Sequence, residues 1–211
     1  MIKEFIKRTP FIAVINYFYG LKSRYEVKFK VPSYEEKRAI LRDYASAYNL
    51  VRLVETGTFL GDTVEYFRHS FQQVYSIELS EELAANAKER FKEAANVKII
   101  QGNSGEVLKD LIKEIGAPTL YWLDGHYSSE FFMGEKFIKT ARADKDTPVE
   151  SELQTLLNDV HQHVILIDDA RFFNGKADYP KYSTICEMVK KSPFLFSVSR
   201  KRDIIRIVPI K

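Results

Sequence analysis

Acidic residues follow two apolar segments of the chain, and a histidine lies beside the first of them. Asp124 and then His126 come after the run TLYWL, and Asp168 and Asp169 follow the run HVILI. Three carboxylates that lie close together repel one another unless protons or a cation neutralise them. Carboxylate oxygens are ligands that Mg²⁺, Ca²⁺ and Mn²⁺ prefer. The pattern therefore suits a divalent-cation site, with His126 as a candidate general base because an imidazole titrates near neutral pH.

A glycine-containing turn follows an earlier apolar run, in the segment RLVETGTFLGDT from Arg52 to Thr63. Gly57 can let the backbone approach a ligand closely, and the helix that begins after Gly61 offers free N–H groups. Glu78 ends the next apolar run, where a carboxylate can accept both hydroxyls of a ribose. Gly102-Asn103-Ser104 follows a third run, where an amide can meet an adenine edge. Each match alone is common, but their order and spacing of about twenty residues indicate a nucleoside-containing ligand.

The segments that must position these residues alternate between strand and helix patterns. Helices are expected between the strands, and the chain closes on a hairpin. The predicted strands are 50–54, 74–78, 97–101, 119–124, 163–168, 195–199 and 204–209. Such alternation predicts an α/β fold with a doubly wound, mostly parallel sheet. A ligand of such a sheet lies beyond the carboxyl ends of the strands, which is where the candidate residues are.

The ordered motifs resemble those of the class I S-adenosylmethionine (SAM)-dependent methyltransferases, over about residues 34–211. The resemblance implies a Rossmann-like, seven-stranded sheet with an antiparallel C-terminal hairpin strand. It also implies a SAM pocket formed by Glu55, Gly57, Thr58, Phe59, Gly61, Thr63, Glu78, Asn103, Ser104 and Asp124. Phe59 replaces the middle glycine of the family's turn. That departure weakens a dinucleotide-oxidoreductase interpretation more than a SAM interpretation, because pyrophosphate needs the closer backbone approach.

The acidic cluster is similar to that of the metal-dependent O-methyltransferases of the catechol and macrocin types. This second resemblance implies that Asp124, Asp168 and Asp169 hold a divalent cation such as Mg²⁺, and that Asp124 and His126 take part in catalysis. Simpler interpretations stay open: Asp169 could cap a turn at 170–173, and His126 could be an ordinary loop residue. Arg171 could orient the acidic pair, bind an anionic acceptor or lie on the surface.

Composition and charge limit the cellular setting. Hydrophobic residues make up 45% of the chain and charged residues 29%, which is typical of a soluble globular domain. The single cysteine excludes an internal disulfide and fits the cytoplasm. Residues 1–30 carry seven Lys or Arg and two Glu, a charge of 7 − 2 = +5, so the rest of the chain carries 3 − 5 = −2. We expect residues 1–33 to form a basic, aromatic arm that packs on the body, on a second copy of the chain or on a membrane surface.

The remaining long connection, about residues 127–147, mixes aromatic and basic residues and is expected to be a lid over the active face. The leading functional hypothesis is SAM-dependent, metal-assisted O-methylation of a small-molecule or sugar-like hydroxyl. A binding or assembly protein that keeps the fold without chemistry, tethered by its basic arm, is the alternative. Nucleic-acid methylation is disfavoured, because the body is net negative and such binding needs a basic face.

Overall fold

The computed structural model describes residues 31–125, 130–133, 136–139 and 147–210, with the backbone alone given for the two short segments. The predicted arm, apart from 31–33, and His126 lie outside these residues. The helices are α1 Tyr34–Ala47, α2 Asp62–Phe67, α3 Glu81–Arg90, α4 Ser104–Ile115, α5 Val149–Leu157 and α6 Tyr182–Lys191. The strands are β1 Arg52–Thr56, β2 Gln73–Glu78, β3 Val97–Gln101, β4 Leu120–Leu123, β5 Glu130–Met133, β6 Lys136–Lys139, β7 Val164–Ile167, β8 Phe196–Lys201 and β9 Ile204–Pro209.

Seven of these strands form one sheet in the order β3-β2-β1-β4-β7-β9-β8. The first five strands in this order, β3, β2, β1, β4 and β7, pair parallel with one another, and β9 is antiparallel to both β7 and β8. The predicted seven-stranded sheet with an antiparallel C-terminal strand is therefore confirmed. Winding reverses between β1 and β4, so the crevice expected for a ligand lies at the carboxyl ends of these two strands.

Helices cover both faces of the sheet, and each face has its own apolar cluster. On one face, Leu41 of α1 and Phe67 of α2 pack with Leu53 and Leu120 of the sheet. On the other, helices α4 and α5 pack on the sheet through residues such as Leu108 and Leu153. Burial on two faces explains why the parallel strands are continuous apolar runs rather than alternating ones.

The first strand starts two residues later than its sequence predicts. Leu50 is apolar and buried, but its N–H bonds the carbonyl of Ala45, 2.8 Å away, and so completes the exit from α1. The parallel ladder with β2 begins at Arg52, opposite Gln73, and continues to Thr56. Glu55 and Thr56 are therefore strand residues, and the turn begins at Gly57.

The long connection contains a hairpin that its sequence did not predict. Strands β5 and β6 pair antiparallel, with Glu130 opposite Lys139. The remaining residues of the expected lid, apart from Thr147, lie outside the described part, so its covering role stays a prediction.

The β8–β9 hairpin, at one edge of the sheet, contacts both ends of α1. Arg202 and Asp203 form its turn with φ of 48° and 58°, the left-handed conformation that two-residue hairpins need. From this turn Arg202 reaches Glu36 of α1 at 3.0 Å, and the Tyr48 hydroxyl donates to the Pro209 carbonyl at 3.4 Å. No helix in the described part of the chain is long and apolar enough to cross a bilayer.

Candidate functional site

The glycine turn brings the end of β1 against the end of β4. Gly57 has φ of +88°, and a Cβ there would lie 2.6 Å from the carbonyl oxygen of Asp124. Gly61 has φ of +82°, and a Cβ there would lie 2.7 Å from the Phe91 ring. Both positions thus need glycine, for conformation and for space. Phe59, between them, also has a positive φ, of 50°.

Glu78 holds this turn from the neighbouring strand. One carboxylate oxygen accepts from the Phe59 N–H at 2.8 Å, and the other accepts from the Ser80 N–H at 2.9 Å. The side chain is buried at the end of β2 beside the turn. The predicted ribose acceptor is therefore fixed in place by two backbone amides, and its oxygens keep lone pairs for further donors.

Glu55 lies beneath the turn. The Ser76 hydroxyl donates to its carboxyl at 2.7 Å, and Ser76 also shares a 2.7 Å hydrogen bond with Thr58. Burial, with smaller contributions from the Asp124 and Glu78 carboxylates, raises the pKa of Glu55 to about 8. Glu55, Ser76 and Thr58 thus form a buried chain of hydrogen bonds that supports the turn from below.

Asn103 and Ser104 follow β3, as the sequence predicts. Asn103 caps α4, since its Oδ1 accepts from the Gly105 N–H at 3.0 Å. Ser104 is the buried first residue of that helix, and Asn103 is exposed. Of this pair, Asn103 is thus the side chain at the surface beside the crevice.

The backbone aligns the strand ends that carry the candidate residues. The Gly57 N–H bonds Ile77, the Asp124 N–H bonds Thr56 and the Asp168 N–H bonds Leu123, at 2.8 to 3.1 Å. The glycine turn, Asp124 and the acidic pair after β7 therefore form one edge of the sheet, as predicted. His126 and its proposed role as a base lie beyond the described residues.

Comparison with solved structures identifies the fold that carries this edge. An O-methyltransferase from Bacillus cereus in complex with SAH superposes with a TM-score of 0.54, at 13% identity, over 93% of this chain and 90% of that one. The SAH-bound Podospora anserina methyltransferase PaMTH1 gives 0.51, at 16% identity, over 85% and 80%. The 23S rRNA methyltransferase ErmE gives 0.50, at 13% identity, over 82% and 68%.

The chain has the fold of the class I SAM-dependent methyltransferases. No protein-family model and no curated protein matches the sequence. The solved structures share the methyltransferase fold at identities too low to carry over an acceptor.

Asp168 is paired with Lys37, a residue that was not predicted from the sequence to belong to the site. Lys37 of α1 forms an ion pair with Oδ2 of Asp168, whose side chain is 2% exposed. Burial and the neighbouring Asp124 carboxylate raise the pKa of Asp168 to about 7, although the Lys37 ammonium acts in the opposite direction. Burial disfavours the Lys37 ammonium, but the carboxylates of Asp168, Asp124 and Asp169 outweigh it and raise its pKa.

Asp169 belongs to a second ion-pair network. Its backbone is left-handed, with φ of 53°, and it precedes the 3₁₀ helix Ala170–Phe172 without a side-chain cap. Arg171 contacts Asp169 at 2.8 Å and also pairs with the fully buried Asp203 of the β8–β9 turn. Arg171 therefore joins the acidic pair to the hairpin, and the anionic-acceptor role considered for it has no support in this arrangement.

These pairings decide how well the aspartates suit a metal. Within the described ranges, no three His, Cys, Asp or Glu side chains are grouped to hold a metal ion. Asp168 meets an ammonium group and Asp169 a guanidinium, so two of the three predicted ligands face cations of the chain itself. The side chains present thus do not fit a divalent-metal site, and the predicted Mg²⁺ has no support.

Glu152 is a second buried carboxyl group near the crevice that was not predicted from the sequence. Glu152 of α5 is 1% exposed. Burial raises its pKa to about 7, and the hydroxyls of Ser104 and Thr56 offset part of the effect. Its burial could have been predicted from the sequence, because Glu152 lies in the apolar helical stripe formed by Val149, Leu153 and Leu156.

Proposed function

We propose that this protein transfers a methyl group from SAM to a hydroxyl oxygen of a small-molecule or sugar-like acceptor, in the cytoplasm. The observation that carries the proposal is the meeting of the Gly57 turn, Glu78 and Asp124 at the switch point of a methyltransferase fold. Two of the superposing structures are described as holding SAH, the product that remains after methyl transfer.

Each part of the edge has a task in this proposal. Glu78 would accept the ribose hydroxyls, and Asn103, at the surface after β3, would meet the adenine. The Gly57 turn would let the backbone pass close to the methionine portion. When bound, SAM supplies an electrophilic methyl group on a sulfonium. The chain's contribution is to hold the acceptor oxygen in line with that methyl group and to exclude water.

The acceptor class is inferred from the side chains at the ends of β4 and β7. Asp124 and the Lys37–Asp168 pair lie past the glycine turn, at the ends of β4 and β7, where an acceptor would approach. Carboxylates can receive the proton or the hydrogen bond of a hydroxyl. No step is assigned to a divalent cation, because Lys37 and Arg171 already pair with two of its expected ligands.

Calorimetry with SAM and SAH is the first test. We expect one site for each ligand on the folded chain, and a folded chain that binds neither would end the proposal. Transfer of a radiolabelled methyl group to separate pools of phenols, sugars, small carboxylic acids and RNA then sorts the acceptor.

The pools separate the competing functions. Labelling of phenols or sugars supports the proposal. Labelling of RNA alone would replace the acceptor class, in line with the activity named for ErmE. SAM binding without labelling of any pool would favour the binding or assembly protein, whose behaviour should survive Asp124→Asn.

A further inference from the structure

Lys37 lies in the candidate site, but the methyl-transfer proposal gives its ammonium group no task. It lies in the first turn of α1, four residues before the buried Leu41, and so points toward the sheet. Its Nζ lies 6.0 Å from the Trp122 ring centroid, with Trp122 in β4 and Asp168 directly after β7. A long, flexible side chain is thereby brought to the acidic edge of the sheet and held there by an ion pair and a cation–π contact.

The contacts of Lys37 leave hydrogen-bonding capacity at this point. An ammonium group has three N–H bonds, and Asp168 is its hydrogen-bond partner among the described residues. Asp168 Oδ1 is buried and has no hydrogen-bond partner in the same part of the chain. A buried acceptor without a partner is destabilising unless a ligand or water satisfies it. A donor and an acceptor thus lie side by side at the edge.

A divalent cation would compete with the chain's own cations at this position. To bind Asp168 Oδ2 it must displace the Lys37 ammonium, and to bind Asp169 Oδ1 it must compete with Arg171. The displaced ammonium would remain beside the metal at the cost of repulsion between like charges. Lys37 therefore opposes metal binding by occupying a ligand oxygen and by adding positive charge.

We propose that Lys37 takes the place of a divalent cation at the carboxylates of Asp124 and Asp168, and presents with Asp168 a donor–acceptor pair for the acceptor's hydroxyl. A hydroxyl fits both partners, since it accepts from Lys37 Nζ and donates to Asp168 Oδ1. A carboxylate or a fully deprotonated phosphate would leave Asp168 without a donor. The acceptor half of this inference rests on the proposed methyl transfer, whereas the replacement of the metal does not.

Binding of Mn²⁺ to the full chain, followed by electron paramagnetic resonance, tests the inference without an acceptor. The wild type should bind Mn²⁺ only weakly and without a specific site, whereas Lys37→Ala should gain one site whose affinity exceeds that residual binding at least about tenfold. Asp168→Asn added to Lys37→Ala should remove the gained site. Lys37→Arg keeps a cation and should gain none. Lys113→Ala is the matched control, because it removes an ammonium from an exposed pair with Asp110.

Two results would overturn the inference. One is a wild type that binds a single Mn²⁺ as tightly as Lys37→Ala and loses it on Asp168→Asn. The other is a folded Lys37→Ala that gains no site. If Lys37→Ala does not fold, the wild type and Lys37→Arg still decide, since tight binding to either contradicts the replacement. Calorimetry with SAM on the same samples reports separately on methyl transfer, so failure of one proposal is distinguishable from failure of the other.

Discussion

Glu78 has a structural role in the turn and a proposed role in binding the ligand. Its carboxylate fixes the Phe59 and Ser80 amides, and it is the residue proposed to accept the ribose hydroxyls. In this proposal the same oxygens organise the turn and would meet the ligand, so the pocket would be preorganised before SAM arrives. Binding should therefore require little rearrangement of the turn.

Replacing Glu78 by alanine should weaken SAM binding by at least about 100-fold, because charge-assisted hydrogen bonds are lost and two amides near the ligand lose their acceptor. Calorimetry measures the change, with circular dichroism to verify folding. Glu82→Ala, on the exposed first turn of α3, is the control and should bind SAM as the wild type does. A Glu78→Ala protein within threefold of the wild type would remove Glu78 from the pocket.

Glu152 makes stability depend on pH in a defined direction. Its pKa in the folded chain is about 7 against an ordinary value of 4.5, so the folded state holds the proton more tightly. The associated stabilisation is complete below pH 4.5 and is lost as pH rises through 7. Glu152→Gln mimics the protonated acid, so its stability relative to the wild type should rise by about 3 kcal/mol between pH 4 and pH 8.

Urea unfolding at these two pH values measures that difference. Glu187→Gln is the control on the exposed side of α6, and its stability relative to the wild type should hardly change with pH. An equal Glu152→Gln difference at both pH values would mean that folding does not raise the pKa of Glu152.

Residues whose type is tied to a strand end were predictable from the sequence, whereas residues whose role depends on distant contacts were not. Gly57, Glu78 and Asp124 follow apolar runs, and parallel strands bring such ends to one edge. Lys37 meets Asp168 across 131 positions of sequence, and no local pattern reports such a pair. The helical stripe that contains Leu41 could have placed Lys37 on the inner face of α1, but not beside Asp168.

The turn between β1 and α2 is the element on which the pocket depends. Gly57→Ala adds a Cβ 2.6 Å from the Asp124 carbonyl at φ of +88°, so it should push β1 and β4 apart at the switch point. We expect a lower melting temperature and SAM binding weakened by at least about 100-fold.

Gly116→Ala separates backbone strain from the crevice. Gly116 also has positive φ, of 52°, but it ends α4 and a Cβ there would have 3.7 Å of room. This control should lose about 1 kcal/mol of stability and keep its affinity for SAM. Equal losses of SAM affinity in the two variants would show that global destabilisation is the cause.

Element types followed from hydrophobic pattern more reliably than element ends did. The apolar run at 97–101 coincides with β3, whereas the run that starts at Leu50 predicts a β1 that starts too early, because Leu50 belongs to the exit of α1. The β5–β6 hairpin was missed because its strands are only four residues long and lie in a mixed aromatic and basic segment. Short paired segments depend on partners that a local pattern does not contain.

At the scale of the whole molecule, charge divides the chain into a basic arm and an acidic body. If the arm lies on a membrane, the full chain should co-sediment with vesicles that contain anionic lipid, and this binding should fall as salt rises. A chain that begins at Val31 should stay in the supernatant and keep its affinity for SAM. Co-sedimentation of the shortened chain would move the membrane contact to the body, and absence of binding by the full chain would leave the arm to a protein surface.

The position of β9 also governs when the molecule can become complete during synthesis. β9 follows the other strands in sequence yet lies between β7 and β8, and its preceding turn supplies Asp203 to Arg171. In a nascent chain the parallel strands β1, β2, β3, β4 and β7 can pair early. Strand β8 has no neighbour in the sheet until β9 has emerged from the ribosome. Until then the outer edge of β7 is unpaired, and an unpaired strand edge is open to aggregation during translation.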